Sequence, residues 1–176
     1  MRVLPLLLTL WVLMSWGPAL GQPLKVGDLV PEQTLVDAQG QPVQLSQLRE
    51  RSPSGLVSIT FWCSTCLSCR TVEKALADLT LRTQGRAVVI AVSASKGETA
   101  AQVQHFLRSH ALPLQVYFDP QGKLADLLGV RVTTTTIVLD KDERVRYWGR
   151  FSEGEKAVSE LLSGQPVTTP RTSQFG

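Results

Sequence analysis

Two short runs, Leu56 to Trp62 (LVSITFW) and Ala87 to Val92 (AVVIAV), are almost continuously apolar and rich in β-branched residues. A strand with one wet face alternates polar and apolar side chains, so an unbroken run of this length needs cover on both faces. That is the place of a central strand in a sheet flanked by helices. Between and after the runs the apolar period lengthens: Val72, Leu76 and Leu79 share one helical face, as do Val103, Phe106, Leu107 and His110. The spacing predicts α/β architecture with parallel crossovers.

Further strands are expected at Leu114–Phe118, Thr135–Leu139 and Val145–Trp148. The last two are linked through the charged turn Asp140-Lys141-Asp142-Glu143, too short for a parallel crossover, which predicts an antiparallel hairpin and hence a mixed sheet. Leu124, Leu127 and Leu128 mark a short helix ending at Gly129, and a last helix is expected over Glu153–Leu162. Residues 22–163 then make one domain, opening on a polar extension with turn signals at Pro31 and Ala38-Gln39-Gly40, and 164–176 a flexible tail.

Residues 1–21 read as a cleaved signal peptide. Arg2 precedes the apolar run Val3–Met14, and Ala19-Leu20-Gly21 puts small residues where a signal peptidase reads, giving cleavage before Gln22. A retained anchor would need about 18 to 20 unbroken apolar residues, more than lie here before Gly17-Pro18. No cysteine stands near the cleavage point for lipoprotein processing. The expected location is periplasmic or secreted, where disulfides form and persist.

The 176 residues are 43% hydrophobic and 19% charged, which excludes a disordered or low-complexity chain. Losing Arg2 with the leader takes the formal charge from +3 to +2. Lys and Arg are scattered without a basic stripe or interleaved aromatics, so nucleic acid is excluded as a partner.

The chain has three cysteines, all in the segment FWCSTCLSCR: Cys63, Cys66 and Cys69. A disulfide stabilises by closing a long loop, and neighbours this near close almost none, so these residues point to chemistry before architecture. The segment ends a buried strand and opens a helix. Unpaired N–H groups and the positive end of the helix dipole favour thiolate there, and Cys66 best occupies that place. Cys69 lies one turn further along the same face. Cys66 can therefore attack a substrate disulfide, with Cys69 resolving the mixed disulfide.

A strand ending in Phe-Trp followed by C-x-x-C-Arg resembles the exported thioredoxin-like proteins of the TlpA/ResA type within the AhpC/TSA redoxin group. FWCSTCLSCR matches that family's F-W-A-x-W-C-x-x-C-R register, YFDPQGKLADLLGV its D-x-x-G, helix and G-V stretch, and IVLDKDERVRYWGR its final hairpin. The resemblance implies a thioredoxin fold over about Val26–Leu162, a catalytic pair Cys66 and Cys69, and a substrate site lined by Trp62, Thr65, Thr133 and Thr134. It implies protein thiols and disulfides as substrates, an exported or membrane thiol donor, a monomer, and no bound cofactor or metal. Thr65 stands where the family has tryptophan, and Thr134 where it has a cis-proline. A non-proline cis bond costs about 3 to 4 kcal/mol, so Thr134 is expected to be trans.

Cys63 falls on a small-residue position of that register and has three readings: a packed residue, an auxiliary thiol competing for Cys66, or a third soft ligand for Cu(I) in a copper-binding or chaperone module. The alternative enzyme is a thiol peroxidase of the peroxiredoxin kind, whose cysteine sits in a P-x-x-x-T-x-x-C loop; only Cys63 has the threonine, Thr60, and none of the three has the proline. Haem attachment is excluded because Arg70, not histidine, follows Cys69. His105 and His110 read as packing residues. Glu73 and Lys74 read as ordinary surface choices on the first helix.

Overall fold

The structure, a computed structural model, describes residues 21–174. All but the last residue of the expected leader lie outside that range. No helix among the described residues is long and apolar enough to cross a membrane.

The strands are β1 (Thr34–Val36), β2 (Pro42–Gln44), β3 (Val57–Phe61), β4 (Val88–Ser93), β5 (Val116–Phe118), β6 (Thr135–Leu139) and β7 (Val145–Arg150). They form one sheet in the order β2-β1-β5-β4-β3-β6-β7. The two apolar runs are neighbours at its centre, β3 parallel to β4 with Ile59 opposite Ile90. β4 pairs parallel with β5, and β6 antiparallel with both β3 and β7. The hairpin turn is held by Asp140, whose Oδ1 accepts from the N–H of Asp142 at 2.9 Å and of Arg144 at 3.0 Å.

The helices are α1 (Leu45–Arg49), α2 (Glu73–Thr83), α3 (Ala100–Ser109), α4 (Lys123–Leu127) and α5 (Phe151–Leu162). Alternation along the central strands supplies two cores. Val57, Ile59, Phe61, Ile90 and Val92 join Leu48, Leu124 and Trp148 on one face. Val89, Ala91, Val138 and Tyr147 join Leu76 and Leu79 of α2, Val103 of α3 and Val158 of α5 on the other.

Two regions differ from the sequence expectation. The polar extension holds the hairpin β1–β2, each strand only three residues long, joined by a turn in which Asp37 Oδ1 accepts from the N–H groups of Gln39 and Gln41 at 2.8 Å. The tail beyond Gly164 runs beside β7. The Trp148 N–H donates to Pro170 O at 3.0 Å, the Thr172 N–H to Trp148 O at 3.1 Å, and the Arg171 guanidinium lies 4.2 Å from the Trp148 ring centroid. The β7 edge thus finds backbone partners, which is why the segment docks.

Candidate active site

β3 ends at Phe61 in the middle of the sheet. The next residue is still tied to β4, the Trp62 N–H donating to Val92 O at 2.9 Å. The chain then turns through Cys63, Ser64 and Thr65 into a 3₁₀ helix, Leu67–Thr71, whose N-cap is Cys66 with extended backbone, and α2 follows. Cys66 therefore stands at the helix start as expected. It is half-buried, whereas Cys63 and Cys69 are 1% and 0% exposed.

The pairing of the sulfurs departs from the expected one. A disulfide joins Cys63 to Cys66, with their Cα atoms 5.5 Å apart, and Cys69 carries the free thiol. Both bonds span the same sequence separation, so spacing could not separate them. What sequence could not show is that the turn after β3 brings Cys63 back over the helix start. Its N–H donates to Cys69 Sγ at 3.4 Å, and all three sulfurs lie within 4.8 Å of one another. Burial pushes the Cys69 thiol up; the Cys63 N–H and the Thr133 hydroxyl pull it down, Glu73 adds to the rise, Arg70 opposes it, and the result is upward.

Glu73 is 6% exposed, not a surface residue. Its Oε1 accepts from the Trp62 indole N–H at 3.0 Å and from Arg70, whose guanidinium also donates to the carbonyl of Ser64 and sits 4.0 Å from the Phe106 ring centroid. One carboxylate thus ties the strand end, the cysteine turn and α2 together. The available signal was the tryptophan before the cysteines: a buried indole N–H needs an acceptor, and Glu73 is the first carboxylate beyond the turn. Glu98 works from the other side, accepting from the Ser64 N–H at 2.7 Å and from the hydroxyls of Ser64 and Ser93. His110 stacks on Phe106 with centroids 4.0 Å apart.

Thr133 reaches the site: its hydroxyl lies 3.2 Å from that of Ser68 and contacts the Cys69 thiol. No peptide bond among the described residues is cis; Thr134 is trans, with φ +64° and its N–H donating to Phe61 O at 2.8 Å. Thr65 is exposed beside the cysteines, while Trp62 is buried at 1%. Thr60 is bonded across the sheet to Thr136 at 2.9 Å, so its hydroxyl is engaged away from Cys63. A groove of about 800 Å³ opens beyond the ends of β3, β4 and β5, lined by Phe61, Trp62, Glu98, Asp119 and Thr133 among others. No cysteine lines it, so it neighbours the three sulfurs without enclosing them.

A thioredoxin-like protein of Haemophilus influenzae is 30% identical over 132 residues, covering 69% of this chain and 75% of that one. Thiol-disulfide oxidoreductase ResA of Bacillus thuringiensis is 25% identical over 124 residues, 70% and 69% of the two chains. Among solved structures, a conserved protein of Geobacillus kaustophilus superposes with a TM-score of 0.74 at 18% identity, covering 84% of this chain and 87% of that one. The exposed lipoprotein thioredoxin Etrx1 of Streptococcus pneumoniae gives 0.61 at 23% identity, covering 76% and 99%. The fold is the thioredoxin fold with an N-terminal extension. Residues 26–148 match the AhpC/TSA family model, and the chain belongs to that family.

Proposed function

We propose that the protein is an exported thiol-disulfide oxidoreductase in which Cys66 is the attacking sulfur and Cys69 a resolving thiol. The observation that carries this is a half-buried Cys66 at a helix start, already in a disulfide, with a further thiol within 4.8 Å. As thiolate, Cys66 attacks a substrate disulfide; the displaced substrate sulfur takes a proton; a neighbouring thiolate then attacks Cys66 Sγ and releases the second substrate sulfur. Substrate is reduced and the protein oxidised, and the reverse sequence oxidises substrate. No bound cofactor is required. Trp62, Thr65, Thr133 and Thr134 border the place where substrate backbone would lie. A thiol donor outside the cytoplasm restores the reduced form of a monomer. The leader at residues 1–21 supports export, as does the likeness to ResA and to an exposed lipoprotein thioredoxin.

Insulin reduction with dithiothreitol as donor tests this directly: the mature chain accelerates it and Cys66→Ser does not. Equal rates for the two would refute the assignment.

A second reading has one observation in its favour. Three sulfurs within 4.8 Å suit a soft monovalent cation such as Cu(I) once all are reduced. The disulfide removes two of the three ligands, which makes exchange the better account. Anaerobic Cu(I) titration of the reduced protein separates the two: stoichiometric binding lost in each single Cys→Ser variant supports the metal, and negligible binding supports exchange.

A further inference from the structure

Cys66 stands between two sulfurs. One belongs to the strand end and is bonded to it; the other belongs to the first helical turn and is free. The Cys63 N–H on Cys69 Sγ holds the two flanking residues against each other. Both are buried, so a protein partner can reach the cluster only through Cys66. Once joined to a partner, Cys66 has a thiol on each side within reach.

We propose that Cys63 is a second resolving thiol, so that a mixed disulfide at Cys66 is discharged by either Cys63 or Cys69. This rests on the exchange function above and specifies which thiols complete it.

The chemistry balances in each direction. With a partner attached at Cys66, the Cys63 thiolate attacks Cys66 Sγ; the Cys63–Cys66 bond forms, the bond to the partner breaks, and the partner sulfur leaves as a thiolate that takes a proton. The Cys69 thiolate does the same to give Cys66–Cys69. The two products are isomers of equal oxidation state. They interconvert when the free flanking thiolate attacks Cys66 Sγ and displaces the other, the proton passing from the incoming to the outgoing sulfur. Cys63–Cys66 is the oxidised pair of the structure, and Cys69, its thiol raised by burial, is the free thiol beside it. Thr65 Oγ1 lies 3.8 Å from Cys63 Sγ, a hydroxyl placed to donate to the sulfur when it leaves as thiolate.

A consequence sets this site apart from a two-cysteine one. Removing one resolving thiol does not trap the partner.

The test uses the reduced full chain with oxidised glutathione as probe, quenched with acid and read by mass spectrometry. Cys63→Ser and Cys69→Ser each release glutathione and close an intramolecular disulfide, Cys66–Cys69 in the first and Cys63–Cys66 in the second. The double variant Cys63→Ser/Cys69→Ser keeps glutathione on Cys66 at least 100-fold longer. The corresponding alanine variants, checked by circular dichroism, are read in the same way should a buried serine prevent folding. If Cys69→Ser alone holds glutathione as long as the double variant, Cys63 does not resolve and the inference falls, while Cys66 as the attacking sulfur stands. If Cys66→Ser takes up glutathione as fast as wild type, the exchange function itself falls, and the inference with it.

Discussion

The backbone N–H of Cys63 donates to the Cys69 sulfur at 3.4 Å. The contact crosses the turn between β3 and the 3₁₀ helix, so the first residue beyond Trp62 and the first buried residue of the helix share one sulfur environment. Everything chemical at this site lies in that crossing. Cys66 is the loop between them, the one cysteine with substantial access to solvent.

The Cys69 thiol is held above the ordinary value of about 8.5, chiefly by burial. The folded protein therefore keeps the proton at a pH where the unfolded chain releases it. The stability tied to this is fully present below about pH 8.5 and is lost as pH rises through the raised folded value. The guanidinium midpoint of the oxidised protein should fall above pH 8.5, and that fall should be smaller in Cys69→Ala. Iodoacetamide labelling of Cys69 faster than a free thiol at pH 7 would contradict the shift.

Glu73 should matter to stability as well as to the site. Glu73→Ala strands the Trp62 indole N–H and frees Arg70, and is expected to cost about 2 to 3 kcal/mol. Glu73→Gln retains an acceptor for the indole and should cost about 1 kcal/mol. Denaturant midpoints at unchanged slope check both. An equal cost for the two would mean that charge, not the hydrogen bond to Trp62, dominates.

Thr134 adopts the left-handed region at φ +64°, where a β-branched side chain is strained by about 1 to 3 kcal/mol. Glycine relieves the strain but adds unfolded-state entropy of about 0.5 to 1 kcal/mol. Relief is the larger effect, so Thr134→Gly should stabilise by about 1 kcal/mol. Thr134→Pro should destabilise by about 2 kcal/mol or more, since proline cannot adopt this φ and removes the N–H that donates to Phe61 O. Thermal melts of the two variants should move in opposite directions.

The docked tail gives a graded expectation. Arg171→Ala loses the stacking on Trp148 and should cost about 0.5 to 1 kcal/mol. Ending the chain at Gly164 also removes the backbone bonds to Trp148 and the Thr172 hydroxyl that lies 2.8 Å from the Tyr147 hydroxyl, and should cost more. A truncated chain with an unchanged midpoint would show that the tail adds nothing.

The sheet centre was legible because its strands carry long-range burial in their own composition: Leu56–Trp62 and Ala87–Val92 became β3 and β4 almost residue for residue. The hairpin β1–β2 was not, because three-residue strands leave too little alternation to read, and only their turn announced itself. The tail was missed because what orders it is the open edge of β7, a distant partner with no trace in the local sequence. At the site, sequence located Cys66 at the helix start and brought Cys69 and Thr133 near it. The Cys63–Cys66 bond was hidden by the equal spacing of two overlapping C-x-x-C pairs, which only the path of the turn after Trp62 tells apart. Glu73 was hidden because its burial comes from Trp62 and Arg70 closing over it, not from its own helix.

The most direct measurement of exchange at Cys66 is equilibration of the protein across glutathione redox buffers, followed by alkylation and mass mapping of all three cysteines. The account predicts one reversible two-electron transition in which every oxidised molecule carries Cys66 in its disulfide. Irreversible oxidation, or a disulfide between Cys63 and Cys69 that leaves Cys66 free, would contradict it.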